Sequence, residues 1–190
     1  MSRNLYIFDC FGVVISDVST LFMDGKHLST EEQNYARKNL FRPCDVGQLS
    51  MDEMFVLFAK RYNWDCQQII EEWTSYEYPL TDTLKLIENL RAQGHCIALL
   101  SNASVNYVNY LFDKFDVHKL FDYEFVSSAY NCAKPDLEFY KLCVDSFDEK
   151  FDKIYFTDDN PNNLVNLQQF GIIPVLFTSA DEVAKQLQTK

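Results

Sequence analysis

The chain opens on a short unbroken apolar run, Leu5-Tyr6-Ile7-Phe8, that ends at Asp9. Such a run, closed by a charged residue, predicts a strand buried on both faces that delivers a carboxylate at its C-terminal end. From about Ser16 to Pro79 the pattern changes to longer segments with helical character, such as Thr30 to Leu40 and Met51 to Tyr62, with no convincing strand. That stretch reads as a helical insertion. From Thr81 the pattern becomes regular. An amphipathic helix to Arg91 is stopped by Gly94, and Cys96-Ile97-Ala98-Leu99-Leu100 follows as a second strand leading into Ser101-Asn102. The alternation continues with a helix over Val105 to Phe115, a strand near Tyr123 to Val126, a helix over Leu137 to Ser146 and a strand over Lys153 to Phe156. A helix over Pro161 to Phe170, a strand over Pro174 to Phe177 and a last helix from Ala180 complete the series. Alternating strands and helices predict an α/β fold, a Rossmann-like parallel sheet with helices on both faces. Its core comprises residues 1–15 and 80–190, with the insertion over 16–79.

Composition narrows the function. At 190 residues the chain suits one folding unit, and 47% hydrophobic and 15% aromatic residues exclude a disordered chain. A net charge of −11 repels phosphate backbones and anionic membrane surfaces, so neither nucleic acid nor membrane is an expected partner. A small anionic substrate would need a local positive focus, a metal ion or an inward-pointing Lys. The six cysteines, Cys10, Cys44, Cys66, Cys96, Cys132 and Cys143, form no C-x-x-C pair and read as reduced thiols used as small apolar residues. The start MSRNLYIFDC does not read as a signal peptide, and no run reaches transmembrane length. A cytoplasmic monomer or homodimer is the expectation.

Three predicted strand ends finish in polar groups: Asp9, Ser101-Asn102 and Thr157-Asp158-Asp159-Asn160. In a parallel sheet these ends share one edge, where open α/β sheets place their chemistry. Carboxylates converging there would repel one another unless a cation sat between them, and magnesium is the natural hard cation for such a set. Other uses of these residues remain open at this level. Asp158 and Asp159 could cap the helix begun by Pro161, and Ser101 or Asn102 could cap the one after them. Lys134, in Ala133-Lys134-Pro135-Asp136, could be a solvated loop residue or the positive charge for a phosphate.

The ordered set of an apolar run ending in Asp9 with Gly12-Val13 after it, then Ser101-Asn102, Lys134-Pro135 and Asp158-Asp159 with Asn163, resembles the four motifs of the haloacid-dehalogenase-like superfamily. The resemblance spans Tyr6 to Gly171 and is most specific from Ile154 onward. The insertion is similar to the four-helix cap of one subgroup. The closest flavour is that of small sugar-phosphate phosphatases and of the N-terminal phosphatase domain of soluble epoxide hydrolases. The resemblance implies a magnesium-dependent phosphatase acting on a small phosphorylated metabolite, such as a sugar phosphate, through an aspartyl-phosphate on Asp9. It further implies that Ser101, Asn102 and Lys134 hold the phosphoryl oxygens. Asp9, the backbone carbonyl of Phe11, Asp158 and Asp159 would bind magnesium, and Asn163 would support the loop.

Phe11 departs from the pattern, because most phosphatases of this superfamily carry there a second Asp that protonates the leaving group. A phenyl ring transfers no proton, and loss of a general acid costs about 10²–10⁴-fold in rate. Three readings follow: a phosphatase with another acid or a good leaving group, a catalytically weak or inactive relative that binds a phospho-ligand or a protein partner, and a 2-haloacid dehalogenase. Against the dehalogenase stand the Asp158-Asp159 pair and the lack of an Arg just after Val14. Candidates for substrate selection in the cap are Asp17, Asp24, Lys26, His27, Arg42, Trp64 and Trp73. His27 reads as an exposed loop residue, His95 and His118 as structural, and the stripe Phe55, Phe58, Tyr62 as cap core.

Overall fold

The computed structural model describes residues 3–188. Five strands form one parallel sheet: β1 (Leu5–Phe8), β2 (Cys96–Ser101), β3 (Tyr123–Val126), β4 (Ile154–Asp158) and β5 (Ile172–Leu176), in the spatial order β3-β2-β1-β4-β5. β1 is central, with Phe8 opposite Leu99 of β2 on one side and Thr157 of β4 on the other. The chain therefore builds outward from β1 in one direction and returns to its other side with β4. The strand order reverses between β1 and β4, the place where open α/β sheets bind ligands.

The sheet is covered on both faces. Tyr6, Phe8, Ile97, Leu99 and Tyr155 pack with Ile87 and Leu90 of α6 (Thr81–Ala92), Leu111 and Phe112 of α7 (Val105–Phe115) and Val183 of α9 (Ala180–Gln188). The alternate residues Leu5, Ile7, Ala98, Leu100 and Phe156 face the other way, onto Phe139, Tyr140 and Cys143 of α8 (Leu137–Asp145). Burial on both faces explains why the strands read as continuous apolar runs.

Between β1 and α6 lies a helical unit with a core of its own: α1 (Val18–Gly25), α2 (Thr30–Ala36), α3 (Arg42–Asp45), α4 (Met51–Tyr62) and α5 (Cys66–Ser75). Phe22, Met23, Leu40, Phe55, Phe58, Ile69 and Trp73 fill that core, with Tyr62 partly buried against it. Capping boxes fix two starts, Ser29 with Glu32 and Ser50 with Glu53. The expected helix over Thr30 to Leu40 runs on to Asp45 through a widened π turn at Arg37–Phe41. Pro43 can neither donate to Asn39 nor let its ring pass that carbonyl, and the widened turn just ahead absorbs the mismatch. Where the chain leaves and re-enters the sheet, its two crossings pair. Ser16 N–H donates to the Tyr78 carbonyl at 2.9 Å and Leu80 N–H to that of Val14 at 2.8 Å.

Two expected elements differ. The helix over Pro161 to Phe170 is instead two 3₁₀ turns, Pro161–Leu164 and Leu167–Phe170, because Val165 is extended and Asn166 takes the left-handed conformation. Leu164, Leu167 and Phe170 recur at a spacing of three, the period of a 3₁₀ helix. The last strand begins at Ile172, two residues earlier than expected, and it tolerates Pro174 as an edge strand does. All six cysteines are unpaired. Among the described residues no helix is long and apolar enough to cross a membrane.

Candidate active site

The ends of β1 and β4 bring three acids together. One carboxylate oxygen from each of Asp9, Asp158 and Asp159 lies within 4.8 Å of the others. β4 runs two residues further than expected and carries Asp158 into full burial, while Asp159 opens onto the cavity beyond it. Uncompensated, such a cluster would be costly to hold ionised. Compensation comes from Lys134, only 2% exposed, whose ammonium lies 2.7 Å from Asp9 Oδ1 and 2.7 Å from Asp158 Oδ2. Lys134 is thus no solvated loop residue. Burial lowers its proton affinity, but the two carboxylates outweigh that and hold it raised and charged. Burial pushes the Asp9 carboxyl well up, as does Asp158, against the pull of Lys134. Asp159 is pushed up to about 6, first by the surrounding walls and then by Asp158 and Asp17.

Each member is held locally. Cys10 N–H donates to Asp9 Oδ1 at 2.7 Å. Asn163 Nδ2 donates to both Asp158 oxygens, at 3.1 and 3.0 Å, and Asn160 N–H donates to Oδ1 at 2.8 Å. Tyr140 in turn donates to the Asn163 carbonyl at 2.8 Å, tying this loop to α8. Asn102 binds the backbone of Lys134 on both sides, with Nδ2 donating to its carbonyl and Oδ1 accepting from its N–H, each at 2.8 Å. Its amide is therefore occupied in fixing Lys134 rather than left to cap α7.

Gly12 matters for close approach. Its φ is +81°, and a Cβ there would stand 2.6 Å from Asp159 Oδ2. The three hard oxygen donors, with that glycine clearing their approach, fit a divalent cation such as magnesium.

The cluster forms the floor of a cavity of about 470 Å³ between the sheet edge and the helical unit. Asp9, Lys134, Asp159, Asn102 and Asn163 line its polar end, whereas Phe11, Val18, Phe41, Met51, Met54, Trp73 and Tyr107 form apolar wall. Ser101 does not join the lining. It is fully buried, its hydroxyl has no hydrogen-bond partner, and the Cys10 thiol lies within its reach. Of the substrate-selection candidates, Asp17, Arg42 and Trp73 line the cavity. Asp24, Lys26, His27 and Trp64 do not. Asp24 accepts a hydrogen bond from Gln33, Lys26 pairs with Glu72 and lies over the Trp64 ring, and His27 is an exposed turn residue with positive φ. His95 and His118 are remote, the first accepting from Asn4 N–H and the second paired with Glu124.

Sequence reasoning missed Arg37, Phe41, Asp45, Met51, Met54 and Tyr107. Tyr107 is the most connected of these. Its hydroxyl accepts from Trp73 Nε1 at 2.7 Å and donates to Glu77 at 2.9 Å, and Glu77 is paired with Lys114. No sequence signal marks these residues, since which side of a helix meets the seam between the sheet and the helical unit is set by packing alone.

The chain is 30% identical over 152 residues to a drimenol cyclase of Aspergillus calidoustus, covering 74% of this chain and 28% of that protein. It is 26% identical over 103 residues to a sesquiterpene phosphatase of Aspergillus oryzae, covering 54% of this chain and 53% of the phosphatase. The chain thus spans about half or less of the length of these relatives. A crystal structure of a HAD family enzyme from Bacteroides thetaiotaomicron superposes with a TM-score of 0.79 at 20% identity, covering 100% of both chains, which shows the same fold. A family model for haloacid dehalogenase-like hydrolases matches residues 4–171, and with the motifs standing together at the sheet edge, the chain belongs to the haloacid dehalogenase-like hydrolase family.

Proposed function

We propose that this hydrolase is a magnesium-dependent phosphomonoesterase that works through an aspartyl-phosphate on Asp9, and that its substrate carries an apolar carbon skeleton. The observation that carries the reading is a cavity with two chemistries: carboxylates and a buried ammonium at the floor, aromatic and thioether side chains above. The floor suits a phosphate with its cation. Asp17, Arg37, Arg42 and Asp45 also reach the walls, but Phe11, Phe41, Met51, Met54 and Trp73 give them apolar area that suits a hydrocarbon skeleton better than a sugar's hydroxyls. The kinship with a sesquiterpene phosphatase points the same way, towards an isoprenoid-type monophosphate rather than a sugar phosphate.

In this mechanism Asp9 attacks phosphorus, the ester P–O bond breaks, and water later cleaves the aspartyl-phosphate. Lys134 holds Asp9 in place and neutralises the phosphoryl oxygens that come to lie beside it. Asn102 keeps Lys134 positioned through its backbone, and Asn163 does the same for Asp158. Asp9, Asp158, Asp159 and the Phe11 carbonyl hold magnesium, which when bound offsets the charge of the phosphoryl oxygens. The helical unit acts as a cap that keeps bulk water from the intermediate, with its hinge at the paired crossings near Ser16 and Leu80.

The test is phosphate release from farnesyl monophosphate, glucose 1-phosphate and glucose 6-phosphate, alongside halide release from 2-chloropropionate, each with magnesium and with chelator. Magnesium-dependent release that favours the farnesyl ester supports the reading. Preference for a sugar phosphate would overturn the substrate class, and chelator-insensitive halide release would replace the phosphatase by a dehalogenase.

A further inference from the structure

Phe11 leaves the reaction without a group to protonate the departing oxygen from the loop after β1. A carboxylate does reach the same cavity from the helical unit: Asp45, the last residue of α3. Of the other acids lining the cavity, Asp9 pairs with Lys134, Asp17 sits at the start of α1, where it accepts from Thr20 N–H and the Ser19 hydroxyl, and Asp159 belongs to the carboxylate cluster proposed above to hold magnesium. Among the described residues no hydrogen bond or ion pair engages the Asp45 carboxylate.

The helix that carries it is clamped to the sheet at both ends. Arg42 donates to the Lys134 carbonyl at 3.0 Å and pairs with Asp136. At the other end the Ser127 hydroxyl donates to the Asp45 carbonyl while accepting from Ala103 N–H at 2.9 Å. Asp45 is thus positioned relative to the chemistry by two hydrogen-bonded contacts to the segment that follows β3, at Ser127 and Lys134.

We propose that Asp45 is the proton donor and acceptor of this site, supplied by the helical unit in place of the residue that Phe11 displaces. This rests on the phosphatase reading above. In the first half-reaction an Asp9 oxygen bonds to phosphorus as the ester P–O bond breaks, and the leaving oxygen takes the Asp45 carboxyl proton to depart as an alcohol. In the second, Asp45 carboxylate takes a proton from water as the water oxygen bonds to phosphorus and the Asp9–phosphorus bond breaks. Inorganic phosphate leaves, with Asp9 ionised and Asp45 protonated again. The groups acting on Asp45 are Arg42 on its own helix and Lys134 across the cavity, with the Cys44 thiol adjacent. Burial outweighs the two cations and pushes its carboxyl up to about 7, so both protonation states are populated near neutral pH.

The test compares Asp45→Asn with the wild-type protein on two esters, an alkyl phosphate, whose leaving oxygen needs a proton, and 4-nitrophenyl phosphate, whose leaving group departs without one. Folding is followed by circular dichroism. The expected result is a fall of about 10²–10⁴-fold in kcat on the alkyl ester, with a surviving first-turnover burst of nitrophenol and slowed phosphate release after it. Asp45→Glu should restore part of the alkyl activity. Unchanged alkyl turnover in Asp45→Asn, or an equal loss in the first turnover of both esters, would overturn the assignment. If the wild-type protein releases phosphate from neither ester, the phosphatase reading itself fails and Asp45 falls with it. Should Asp45→Asn not fold, the wild-type pH profile decides. Alkyl turnover should fall above about pH 7 while the nitrophenol burst holds, and a parallel decline of both would count against Asp45.

Discussion

The ring of Phe11 lies nearly parallel to that of Tyr107, with centroids 5.8 Å apart and planes 8° from each other. Phe11 packs against both the sheet core and the core of the helical unit, so this stack sits on the seam between them. Phe11→Ala should cost about 1–3 kcal/mol, less than loss of a fully buried Phe, and raise KM for an apolar ester more than it lowers kcat. Denaturant unfolding and steady-state kinetics check this. Phe11→Asp should not raise kcat, since it puts a charge into the apolar wall and the proton comes from elsewhere.

Lys134 is the only cation bonded to the Asp9 and Asp158 pair among the described residues. Lys134→Met leaves buried carboxylates without it and should destabilise the metal-free protein by about 3–5 kcal/mol at neutral pH. The sign with pH is fixed by Asp9. Its folded-state proton affinity already lies above the unfolded value, so ionising it costs stability, and acidification relieves the cost. The deficit should therefore shrink as pH falls, as measured by urea midpoints across a pH series.

Gly12→Ala combines a positive φ with a Cβ 2.6 Å from Asp159 Oδ2. The backbone cost is about 1–2 kcal/mol. The larger consequence is for magnesium, because Asp159 must move. Magnesium should raise the Tm of the wild-type protein by mass action and raise that of the variant much less. An equal rise in both would show that Asp159 is not a ligand.

The raised Asp45 carboxyl has a stability signature separate from activity. In the unfolded chain Asp ionises near its ordinary value of about 4, whereas in the folded protein it holds its proton to about 7. The unfolded state sheds that proton first, so the contribution favouring the fold is full below about pH 4 and is lost as pH rises to about 7. Asp45→Asn should lose less stability than the wild-type protein between those limits, compared by urea unfolding at both ends.

Much of the fold was legible because β1 and β2 are buried on both faces and leave uninterrupted apolar runs. Leu5–Phe8 and Tyr123–Val126 fall where the pattern predicts them, and Cys96 onward extends by one residue to Ser101. The segment after Asp159 was not legible, because its apolar residues predict one helix, which Val165 and Asn166 break into two 3₁₀ turns. At the site, Asp9, Lys134, Asp158 and Asp159 were legible because each follows or ends a parallel strand or its loop, and strand ends share an edge. Ser101 was expected at the cavity and is buried behind it. Asp45 and Met51 of the helical unit and Tyr107 of α7 carry no local signal, since only the packing of that unit on the sheet brings them to one cavity.

The most direct test of the central claim is mass spectrometry of the protein after acid quench during turnover of farnesyl monophosphate with magnesium. A phosphoryl group on Asp9 in the wild-type protein, absent from a folded Asp9→Asn variant that also releases no phosphate, is the result predicted here. Phosphate release undiminished in Asp9→Asn would contradict the account.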